Sequence, residues 1–476
     1  MRTPPFLIER IHFVGIGGIG MSGIAEILHH LGYTVQGSDL SENYNVQRLR
    51  QLGIHITQGH NAENVSNTDV VVISSAVNET NVEVQAARAL HIPVVKRSEM
   101  LAELMRLKWT ISVGGSHGKT TTTSLIAMLL KQANCDPTII SGGILNAFGS
   151  NARLGNGDMM VVEADESDGS FQYLPSTMTV VTNIDPEHMS YYGSLERLKQ
   201  GFINFIEKIP FYGLGIVCGD DSNVQSILPQ LGNKRIVTYG LSPNNNVQAT
   251  NIRLTPQGTY FDVVFHAPFN WSSIQDKQEI KNIKLSMFGE HNVLNALAVI
   301  CITQEMGITE DTLRTTFEAF QGVKRRFTIT DIVNDIMFVD DYAHHPTEIN
   351  AVIKAASSIK QRRLIVVLQP HRYSRLKDHY NEFVDVFTEH TNIDNLYITP
   401  VYAAGEPTIE GYCSESLTNH LKSKGVNAVY VPSENELQAT ILNTVESQDL
   451  VIFMGAGNIT QWAYDIPSIY KQSLNS

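Results

Sequence analysis

The residues from Trp109 to Ser124 read WTISVGGSHGKTTTTS, and the rest of the chain is best understood from them. An apolar strand leads into a glycine turn, and a lysine and four threonines follow. Glycines let backbone N–H groups turn toward an anion, and the helix that follows adds the positive end of its dipole. The stretch therefore predicts a nucleotide phosphate loop, made of Gly114, Gly115, Ser116, His117, Gly118, Lys119, Thr120 and Thr121.

Lys119 and Thr120 carry the chemistry of this predicted loop. In such loops the lysine reaches the β- and γ-phosphates, and the hydroxyl binds magnesium. The loop is one residue shorter than the general pattern, because Val113 stands where that pattern begins with glycine. A GKT triplet can also be an ordinary helix start, but the strand before it and the segment TSLIAMLLKQA after it favour the nucleotide loop.

Length and composition are those of a globular protein with several domains. The chain has 476 residues, which suits about three domains, and its hydrophobic content of 42% with 17% charged residues is ordinary. The formal net charge of −13 argues against a nucleic-acid partner, since that partner requires a basic surface.

Four widely spaced cysteines, without a metal-like spacing, predict reduced thiols in the cytoplasm. The apolar stretch from Ile11 to Met21 is short and rich in glycine, and it fits neither a signal peptide nor a membrane span. We expect a cytoplasmic monomer or homodimer without a membrane partner.

The N-terminal residues 10–26, RIHFVGIGGIGMSGIAE, predict a strand, a tight turn and a helix with glycines in GxGxxG spacing. The next strand ends at Asp39, where an acid would contact a ribose hydroxyl. This fingerprint favours a dinucleotide such as NAD, but a UDP group also places a diphosphate at a helix N-terminus. Further strands continue the pattern to about Met105, so we expect a Rossmann-like domain over residues 1–107.

Two more strands of the central region end in residues suited to a metal. MMVVEADESD places Glu163 at the end of a strand, and TMTVVTNIDPEHM leads to Asn183, Asp185, Glu187 and His188. Acids after strands are often solvated, and a single histidine is usually a loop residue. Since the carboxyl ends of parallel strands meet at one edge, we expect the phosphate loop, Glu163 and the residues after the third strand to lie together. Glu163 is then the expected magnesium ligand, and the last group suits a metal or a phosphate.

Between residues 247 and 287 the pattern changes to short alternating runs, which predict a small antiparallel patch. A helix follows whose first turns contain His291, Asn292 and Asn295. The two asparagines are neighbours at i and i+3, and their amides suit an adenine edge. Helix capping is the alternative interpretation.

The segment GVKRRF, residues 322–327, is the densest cationic spot of the chain, and a solvated charge run is the usual explanation of such a spot. Beyond it, strands, polar loops and helices alternate, which predicts a second Rossmann-like domain over residues 323–476 and a central domain over 108–322.

In QPHRYSR, two arginines and a histidine follow a buried strand. Such a loop could hold an amino-acid carboxylate, although phosphate contacts and surface salt bridges are alternatives.

As an ordered set, these motifs resemble those of the Mur ligases, and in detail those of the alanine-adding members. The resemblance spans nearly the whole chain and rests on GIGGIGMSGIAE, GGSHGKTTT, EADESD, TNIDPEHM, GEHNVLNALA, GVKRRF, DDYAHHPTE, QPHRYSR, YAAGE and MGAGN. Ser190 stands where many members have aspartate, and GSFQYLPS after EADESD also departs from the family pattern.

The resemblance implies an α/β enzyme of three domains: a UDP-sugar-binding Rossmann-like domain, a P-loop ATPase-like central domain with a mostly parallel sheet, and an amino-acid-binding Rossmann-like domain. It implies a UDP-sugar site of Gly15, Ile16, Gly17, Gly18, Ile19, Gly20, Asp39 and Ser74. It adds His291, Asn292, Asn295, Arg326 and Asp341 to the phosphate loop as the ATP site. Catalytic roles fall on Lys119, Glu163, His188 and Arg326, and the metal site on Thr120, Glu163 and His188. The amino-acid site falls on Tyr342, His344, His371, Arg372 and Arg375.

The implied reaction is ATP-dependent formation of an amide between L-alanine and the lactyl carboxylate of UDP-N-acetylmuramate, through an acyl phosphate, with Mg²⁺ or Mn²⁺. This is a step in the synthesis of peptidoglycan precursors. One alternative is a recycling ligase that adds a preformed tripeptide to the same sugar nucleotide. An NAD-dependent oxidoreductase and a non-catalytic nucleotide sensor are alternatives from other classes.

Overall fold

The computed structural model describes residues 8–474 except 75, 147, 256, 267–278 and 321. Helices alternate with strands along the chain, and the strands form sheets of five, ten and six strands. This arrangement confirms the predicted α/β class. The chain divides into two compact units. The first contains the described residues of 1–250, 262–283 and 294–321, and the second contains the other described residues. No helix within the described residues is long and apolar enough to cross a membrane.

The first sheet is parallel and has the strand order β3-β2-β1-β4-β5. This order matches the first five strands of the dinucleotide-binding order 3-2-1-4-5-6, as the glycine fingerprint predicted. Its strands are β1 Arg10–Val14, β2 Thr34–Asp39, β3 His55–Gln58, β4 Val70–Ile73 and β5 Val94–Lys96. Its helices are α1 Ile19–His30, α2 Tyr44–Gln51, α3 Val82–Ala89 and α4 Arg97–Met105, with a 3₁₀ turn at Ala62–Val65.

The second sheet has the order β15-β14-β13-β12-β11-β10-β6-β9-β7-β8. Its strands are β6 Trp109–Gly114, β7 Thr138–Leu145, β8 Ser150–Arg153, β9 Met159–Glu163, β10 Met178–Val181, β11 Leu214–Cys218, β12 Ile236–Gly240, β13 Val247–Thr255, β14 Gly258–Phe265 and β15 Glu279–Leu285. Its helices are α5 Lys119–Gln132, α6 Met189–Tyr192, α7 Leu195–Glu207, α8 Ser222–Ile227, α9 Glu290–Glu305 and α10 Glu310–Ala319, with 3₁₀ turns at Ser170–Tyr173 and Leu228–Gln230.

The middle of this sheet positions the site. Strand β6 lies between β10 and β9, and both pairs are parallel. The carboxyl ends of these three strands therefore open onto one edge, as predicted. Strands β13 and β14 are neighbours joined by two residues, a connection that only an antiparallel pair can make, and this is the predicted antiparallel patch.

The third sheet has the order β16-β17-β21-β18-β19-β20, and only its edge strand β16 is antiparallel. Its strands are β16 Thr328–Val333, β17 Ile336–Asp341, β18 Leu364–Leu368, β19 Asn395–Ile398, β20 Ala428–Tyr430 and β21 Leu450–Met454. Its helices are α11 Pro346–Ile359, α12 Tyr373–Asp378, α13 Tyr380–Glu389, α14 Ser414–Ser423, α15 Glu434–Thr444 and α16 Ile459–Ser473.

Strands β18 and β21 are buried along their whole length, because separate hydrophobic clusters cover the two faces of the third sheet. Alternate residues divide between the clusters: Val366 joins one, and Val367 joins the other. This is why these strands read as continuous apolar runs in the sequence.

Candidate active site

The phosphate loop connects β6 to α5 and needs glycine at two positions. Gly115 and Gly118 have φ of +132° and +81°, a region that side chains rarely adopt. There is also no room for a side chain at either position: a Cβ on Gly115 would lie 2.0 Å from Thr182 Oγ1, and one on Gly118 would lie 2.6 Å from Asn295 Oδ1. The glycine spacing thus follows from both the backbone conformation and close packing.

The residues that follow β10 hold the phosphate loop in place. His117 donates its backbone N–H to Asn183 Oδ1 at 2.8 Å and accepts from Thr182 Oγ1 at 2.6 Å. Its Nε2 lies 2.8 Å from Asp185 Oδ2, and Asp185 N donates to Ser116 Oγ at 2.8 Å. Asn183 and Asp185, two polar residues that follow the strand, therefore bind the loop itself.

Lys119 is enclosed by acceptors. Its ammonium donates to the carbonyl oxygens of Gly115 at 2.5 Å and Ser116 at 3.1 Å, and it pairs with both oxygens of Glu166 at 2.9 and 2.8 Å. Burial alone would lower the pKa of Lys119, but the carboxylates of Glu166, Glu163 and Glu187 together outweigh burial and raise this pKa. Burial also raises the pKa of Glu166 to about 7, although the Lys119 charge opposes that rise. Lys119 is therefore a fixed positive charge at the loop, and Glu166 is a partner that the loop motif alone does not predict.

Two of the three predicted metal ligands are in direct contact. Thr120 Oγ1 donates to Glu163 Oε1 at 2.9 Å. The second carboxylate oxygen of Glu163 accepts from Gly142 N at 2.7 Å and from Ser141 Oγ at 3.2 Å. A hydroxyl and a carboxylate at the phosphate loop are the hard oxygen donors that magnesium prefers, so this pair fits the ion.

The third predicted ligand, His188, lies beside two other acids. Its Nε2 is 3.8 Å from Glu166 Oε1 and 3.9 Å from Glu187 Oε2. Glu166, Glu187 and His188 each offer one ligand atom within 4.8 Å of the other two. The sequence analysis chose Glu163 and His188 as ligands and did not choose Glu166 or Glu187, although both lie in the acidic runs EADESD and TNIDPEHM.

The glycine turn of the first sheet is held by Asp39. Gly17 N donates to Asp39 Oδ2 at 2.8 Å, while Oδ1 accepts from Ser41 N at 3.0 Å. Gly15, with φ of +77°, packs so that a Cβ there would be 3.8 Å from Ser74 Oγ. The predicted Asp39 and Ser74 therefore lie at the turn, and Asp39 fixes its backbone.

The helix N-terminus that carries Gly18, Ile19 and Gly20 faces a cation that the sequence analysis missed. A Cβ on Gly20 would lie 2.7 Å from Arg97 Nη1. Arg97 also pairs with Asp165 at 3.5 Å. A guanidinium beside a glycine turn and a helix dipole suits a diphosphate, and the only sequence signal was a basic residue at the start of α4.

Within the first unit, Asn295 lies against the phosphate loop: Thr122 Oγ1 donates to Asn295 Oδ1 at 3.2 Å. Within the second unit, Asn292 Nδ2 donates to the carbonyl of Phe288 at 2.8 Å. His291 is buried, and burial together with the nearby Arg326 charge lowers its pKa to about 4. All three occupy the first turns of α9, as predicted.

Arg326, which is part of the segment GVKRRF, and Asp341 both lie in the second unit. Asp341 Oδ2 accepts from Phe327 N and Oδ1 from Ala343 N, both at 2.7 Å. Burial raises the pKa of Asp341 to about 6, although Arg326 and these two N–H groups oppose the rise. Arg326 lies 3.5 Å from Glu348, an acid that the sequence analysis did not single out.

The histidines and arginines predicted for the amino acid form one cluster in the second unit. The ring centroid of His344 lies 5.1 Å from that of Tyr342 and 5.6 Å from that of His371. Arg375 Nη1 lies 3.1 Å from His371 Nδ1. Burial and then the charges of its neighbours lower the pKa of His371 to about 4. His371 is therefore neutral at physiological pH, and Arg375 supplies positive charge for a carboxylate.

The loop that contains YAAGE, residues 402–406, completes this cluster. Tyr402 stacks on His371 with ring centroids 5.6 Å apart and an interplanar angle of 11°. Glu406 accepts from Ser374 N at 3.0 Å and pairs with Arg372 at 3.8 Å. Arg372 is thus directed by Glu406, and neither Tyr402 nor Glu406 was among the predicted site residues.

Family models match three successive parts of the chain. Residues 10–109 match the "Mur ligase family, catalytic domain", residues 113–303 the "Mur ligase middle domain", and residues 325–457 the "Mur ligase, glutamate ligase domain". Together with the three sheets, these matches confirm the predicted fold of three α/β domains.

Similar proteins extend over almost the entire chain. The UDP-N-acetylmuramate–L-alanine ligase of Rhodospirillum rubrum is 52% identical over 98% of this chain and 96% of its own. The ligase of the same name from Brucella anthropi is 49% identical over 97% of both chains. The crystal structure of the UDP-N-acetylmuramate-alanine ligase from Thermotoga maritima is 29% identical, covers 98% of this chain and 99% of its own, and has a TM-score of 0.80. With its ordered motifs and three matching domains, the chain belongs to the Mur ligase family.

Proposed function

We propose that this protein joins L-alanine to the lactyl carboxylate of UDP-N-acetylmuramate in an ATP-dependent reaction of peptidoglycan precursor synthesis. The observation that carries the proposal is the near-full-length similarity to alanine ligases, at 52% and 49% identity. The structure supplies the groups that the reaction needs: a phosphate loop with a fixed lysine, a pair of oxygen ligands and a basic cluster for a carboxylate.

The first step activates the carboxylate. A carboxylate is a poor electrophile, so its oxygen attacks the γ-phosphorus of ATP, an oxygen–phosphorus bond forms, and the bond to the β-phosphate oxygen breaks to release ADP. The Lys119 ammonium, held at the loop, stabilises the charge that develops on the transferred phosphoryl group. The N-terminus of α5 adds to this stabilisation.

Magnesium fits the residues at this edge of the sheet. Thr120 and Glu163 would hold it, with His188 as the further predicted ligand. When bound, the ion neutralises charge on the β- and γ-phosphates, a role that manganese also fills.

The second step forms the amide. The alanine amine attacks the carbonyl carbon of the acyl phosphate, a carbon–nitrogen bond forms, phosphate leaves with the electrons of the carbon–oxygen bond, and the amine loses a proton. We assign Arg375 and Arg372 to the alanine carboxylate, with Tyr342, His344 and His371 around them. A neutral His371 suits this place because it adds no charge near the incoming amine.

Residues 1–107 would bind the UDP sugar, 108–322 ATP, and 323–476 the amino acid. The diphosphate would lie at the turn of Gly15, Gly17 and Gly20 with Arg97 beside it. Asn292 and Asn295 would contact adenine, and Arg326 and Asp341 the phosphate side of ATP. We place the enzyme in the cytoplasm, where its substrates and its four free thiols fit the reducing conditions.

The recycling ligase is the second candidate, since it uses the same sugar nucleotide. The loop QPHRYSR favours free alanine, because this basic loop belongs to the alanine-adding pattern and its Arg375 lies 3.1 Å from His371. A tripeptide is longer and carries further carboxylates, which this loop alone would not bind.

The deciding experiment measures phosphate release from ATP with magnesium, UDP-N-acetylmuramate and L-alanine, with one component left out at a time and a parallel run with the tripeptide. We expect release only with all components, and a mass increase of one alanine residue on the sugar nucleotide. Release only with the tripeptide would identify the recycling ligase. Absence of release in both runs would return the choice to an oxidoreductase or a nucleotide sensor.

A further inference from the structure

Glu166 is a buried carboxylate with no role in the steps above. It is 1% exposed and follows β9 in the loop after Glu163. Its backbone carbonyl accepts from Tyr192 Oη at 2.6 Å and from Gly169 N at 3.0 Å, so the main chain that carries it is fixed. The side chain is therefore held toward the phosphate loop.

The partners of this carboxylate are few. Within the described part of the chain, Lys119 is the one side chain that donates a hydrogen bond to it, and both carboxylate oxygens lie within 2.9 Å of Lys119 Nζ. His188 stands at 3.8 Å, which is beyond hydrogen-bond range. Lys119 is thus the close cationic partner of Glu166.

Lys119 has three ammonium protons, and three acceptor groups take them: Gly115 O, Ser116 O and Glu166. To bind a phosphate oxygen, the ammonium must release at least one of these. Releasing Glu166 would separate a buried carboxylate from the ammonium that pairs with both of its oxygens, which is the costliest choice. Releasing a neutral loop carbonyl leaves no charge uncompensated.

We propose that Glu166 is a positioning residue that keeps hold of the Lys119 ammonium throughout the reaction, while the loop carbonyls give way to phosphate oxygens when ATP binds. The inference rests on the proposed function for its kinetic consequence, and it deepens the role of the phosphate loop. Lys119 then turns about a fixed ion pair, and its charge reaches the transferred phosphoryl group in one orientation. Orientation of this kind acts on the transition state more than on nucleotide binding.

The kinetic test uses Glu166→Gln, which keeps the shape and removes the charge. We expect kcat to fall about 10- to 100-fold, while KM for ATP changes by less than about threefold. Glu166→Asp keeps the charge on a side chain one methylene shorter, and its kcat should lie between those of the wild type and Glu166→Gln. An unchanged kcat in Glu166→Gln would overturn the proposal.

Glu305→Gln is the matched control. Glu305 forms another largely buried pair, with both carboxylate oxygens 3.0 Å from Arg235 Nη2. The Glu305→Gln variant shows how the loss of a buried ion pair affects the fold when the phosphate loop is unchanged. We expect kcat of Glu305→Gln to stay within about twofold of the wild type once folded enzyme is matched. A fall equal to that of Glu166→Gln would make the effect structural and overturn the proposal.

A spectroscopic test needs no turnover. In the full chain labelled with ¹⁵N-lysine, a buried and hydrogen-bonded ammonium gives an observable N–H signal, which Lys119→Ala assigns. We expect this signal in the wild type both without nucleotide and with ADP and magnesium, and we expect its loss in Glu166→Gln in both states. Recovery of the signal in Glu166→Gln with ADP, or ADP binding about tenfold tighter than in the wild type, would show that the carboxylate competes with phosphate and would overturn the proposal.

These readouts separate the two proposals. Failure of the wild type to ligate alanine would refute the proposed function, while the lysine signal and ADP affinity would still decide the role of Glu166. If Glu166→Gln does not fold, the signal of the wild type with and without ADP still tests the ion pair, since its disappearance on ADP binding would contradict a retained contact.

Discussion

Gly118 is the residue at which backbone conformation and packing constrain the phosphate loop most clearly. With φ of +81° and Asn295 Oδ1 2.6 Å from a Cβ, alanine there meets both a conformational cost and a collision. We expect Gly118→Ala to weaken ADP binding by about tenfold or more, because the loop N–H groups and Asn295 are both displaced. Calorimetric titration with ADP and magnesium measures this loss.

Gly53 provides the control for that substitution. It has φ of +91°, but a Cβ there meets no atom within 4 Å. Gly53→Ala should therefore lose only the roughly 1–2 kcal/mol of the left-handed conformation and bind ADP as the wild type does. Equal ADP affinity in Gly118→Ala and Gly53→Ala would contradict the assignment of the loop.

Lys119 carries the main charge of the proposed phosphoryl transfer. We expect Lys119→Ala to lower turnover by at least about 10²–10³, the effect of removing one donor to a developing charge. The melting temperature should fall as well, because Glu166 loses its counter-charge. Phosphate release is therefore measured below the melting temperature of the variant.

Lys131→Ala, near the other end of α5, is the comparison variant for Lys119→Ala. Lys131 is exposed and lies over the ring of Phe148, 4.8 Å from its centroid. It should retain normal turnover, and near-normal turnover by Lys119→Ala would refute the central assignment.

At the residue scale, sequence reasoning located groups that stand in a motif and missed groups that reach the site from elsewhere. Gly118, Thr120 and Glu163 were predictable because turn geometry and strand ends fix where they lie. Arg97 and Glu406 were not, since each acts through a contact to a distant loop. Charge pairing across the fold has no local sequence signal.

Helix α3 shows how an element is fixed to a sheet by one buried acid, Glu83. It accepts from Ser38 Oγ at 2.6 Å, lies 3.4 Å from His12 Nε2 and also accepts from Asn64. Burial alone would raise the pKa of Glu83, but the nearby His12 ring and the hydrogen bonds from Ser38 and Asn64 outweigh burial and lower it to about 2. The acid therefore connects α3 to two strands and a 3₁₀ turn.

This lowered pKa predicts an acid-sensitive contribution to stability. A pKa that falls from 4.5 to about 2 on folding corresponds to roughly 3 kcal/mol, present above pH 4.5 and lost as pH falls toward 2. We expect Glu83→Gln to unfold at a lower urea concentration than the wild type at pH 7, with a difference that shrinks below pH 4.5. The first unfolding transition, followed by circular dichroism from pH 7.5 to 3.5, measures it.

Glu79→Gln is the control for Glu83→Gln. Glu79 is 68% exposed and pairs with Arg88 at 2.6 Å, so its loss should cost less than about 1 kcal/mol at any pH. A pH-independent difference between Glu83→Gln and the wild type would show that the acid stabilises by shape alone.

At the element scale, the sequence predicted the strands that end in motifs and the helices that follow them. The glycine turn before α1 and the apolar run of β18 have direct local causes. The extension of the second sheet through β12 and β13, a parallel pair, was not predicted. The paired residues, such as Tyr239 and Val247, are only eight apart, but the alternating pattern of β13 does not encode the direction in which it joins its neighbour.

At the scale of the whole molecule, the division into compact units does not follow single cuts in the chain. Segments 251–261 and 284–293 belong to the second unit although they precede residue 322. Phe288 packs on Phe327 with ring centroids 5.4 Å apart, a contact that composition and linker signals cannot show. The proposed boundary at residue 322 therefore describes the order of motifs better than the packing.

The C-terminal sheet nevertheless has a complete core of its own. The buried residues of its two hydrophobic clusters all lie between Val333 and Tyr470, and all six strands lie within 323–476. We expect residues 323–476, expressed alone, to fold and to unfold cooperatively in urea, because loss of Phe288 removes a contact at the margin and not a core strand.

A shorter fragment, residues 323–448, tests that reasoning. It lacks β21, which pairs with both β17 and β18 at the centre of the sheet. Without it the sheet divides and both clusters lose buried side chains, so this fragment should show no cooperative transition. Circular dichroism and urea unfolding of both fragments decide the point: cooperative unfolding of 323–476 alone means that the sheet is an independent folding unit, and its absence would mean that segments 251–261 and 284–293 are needed to complete the core.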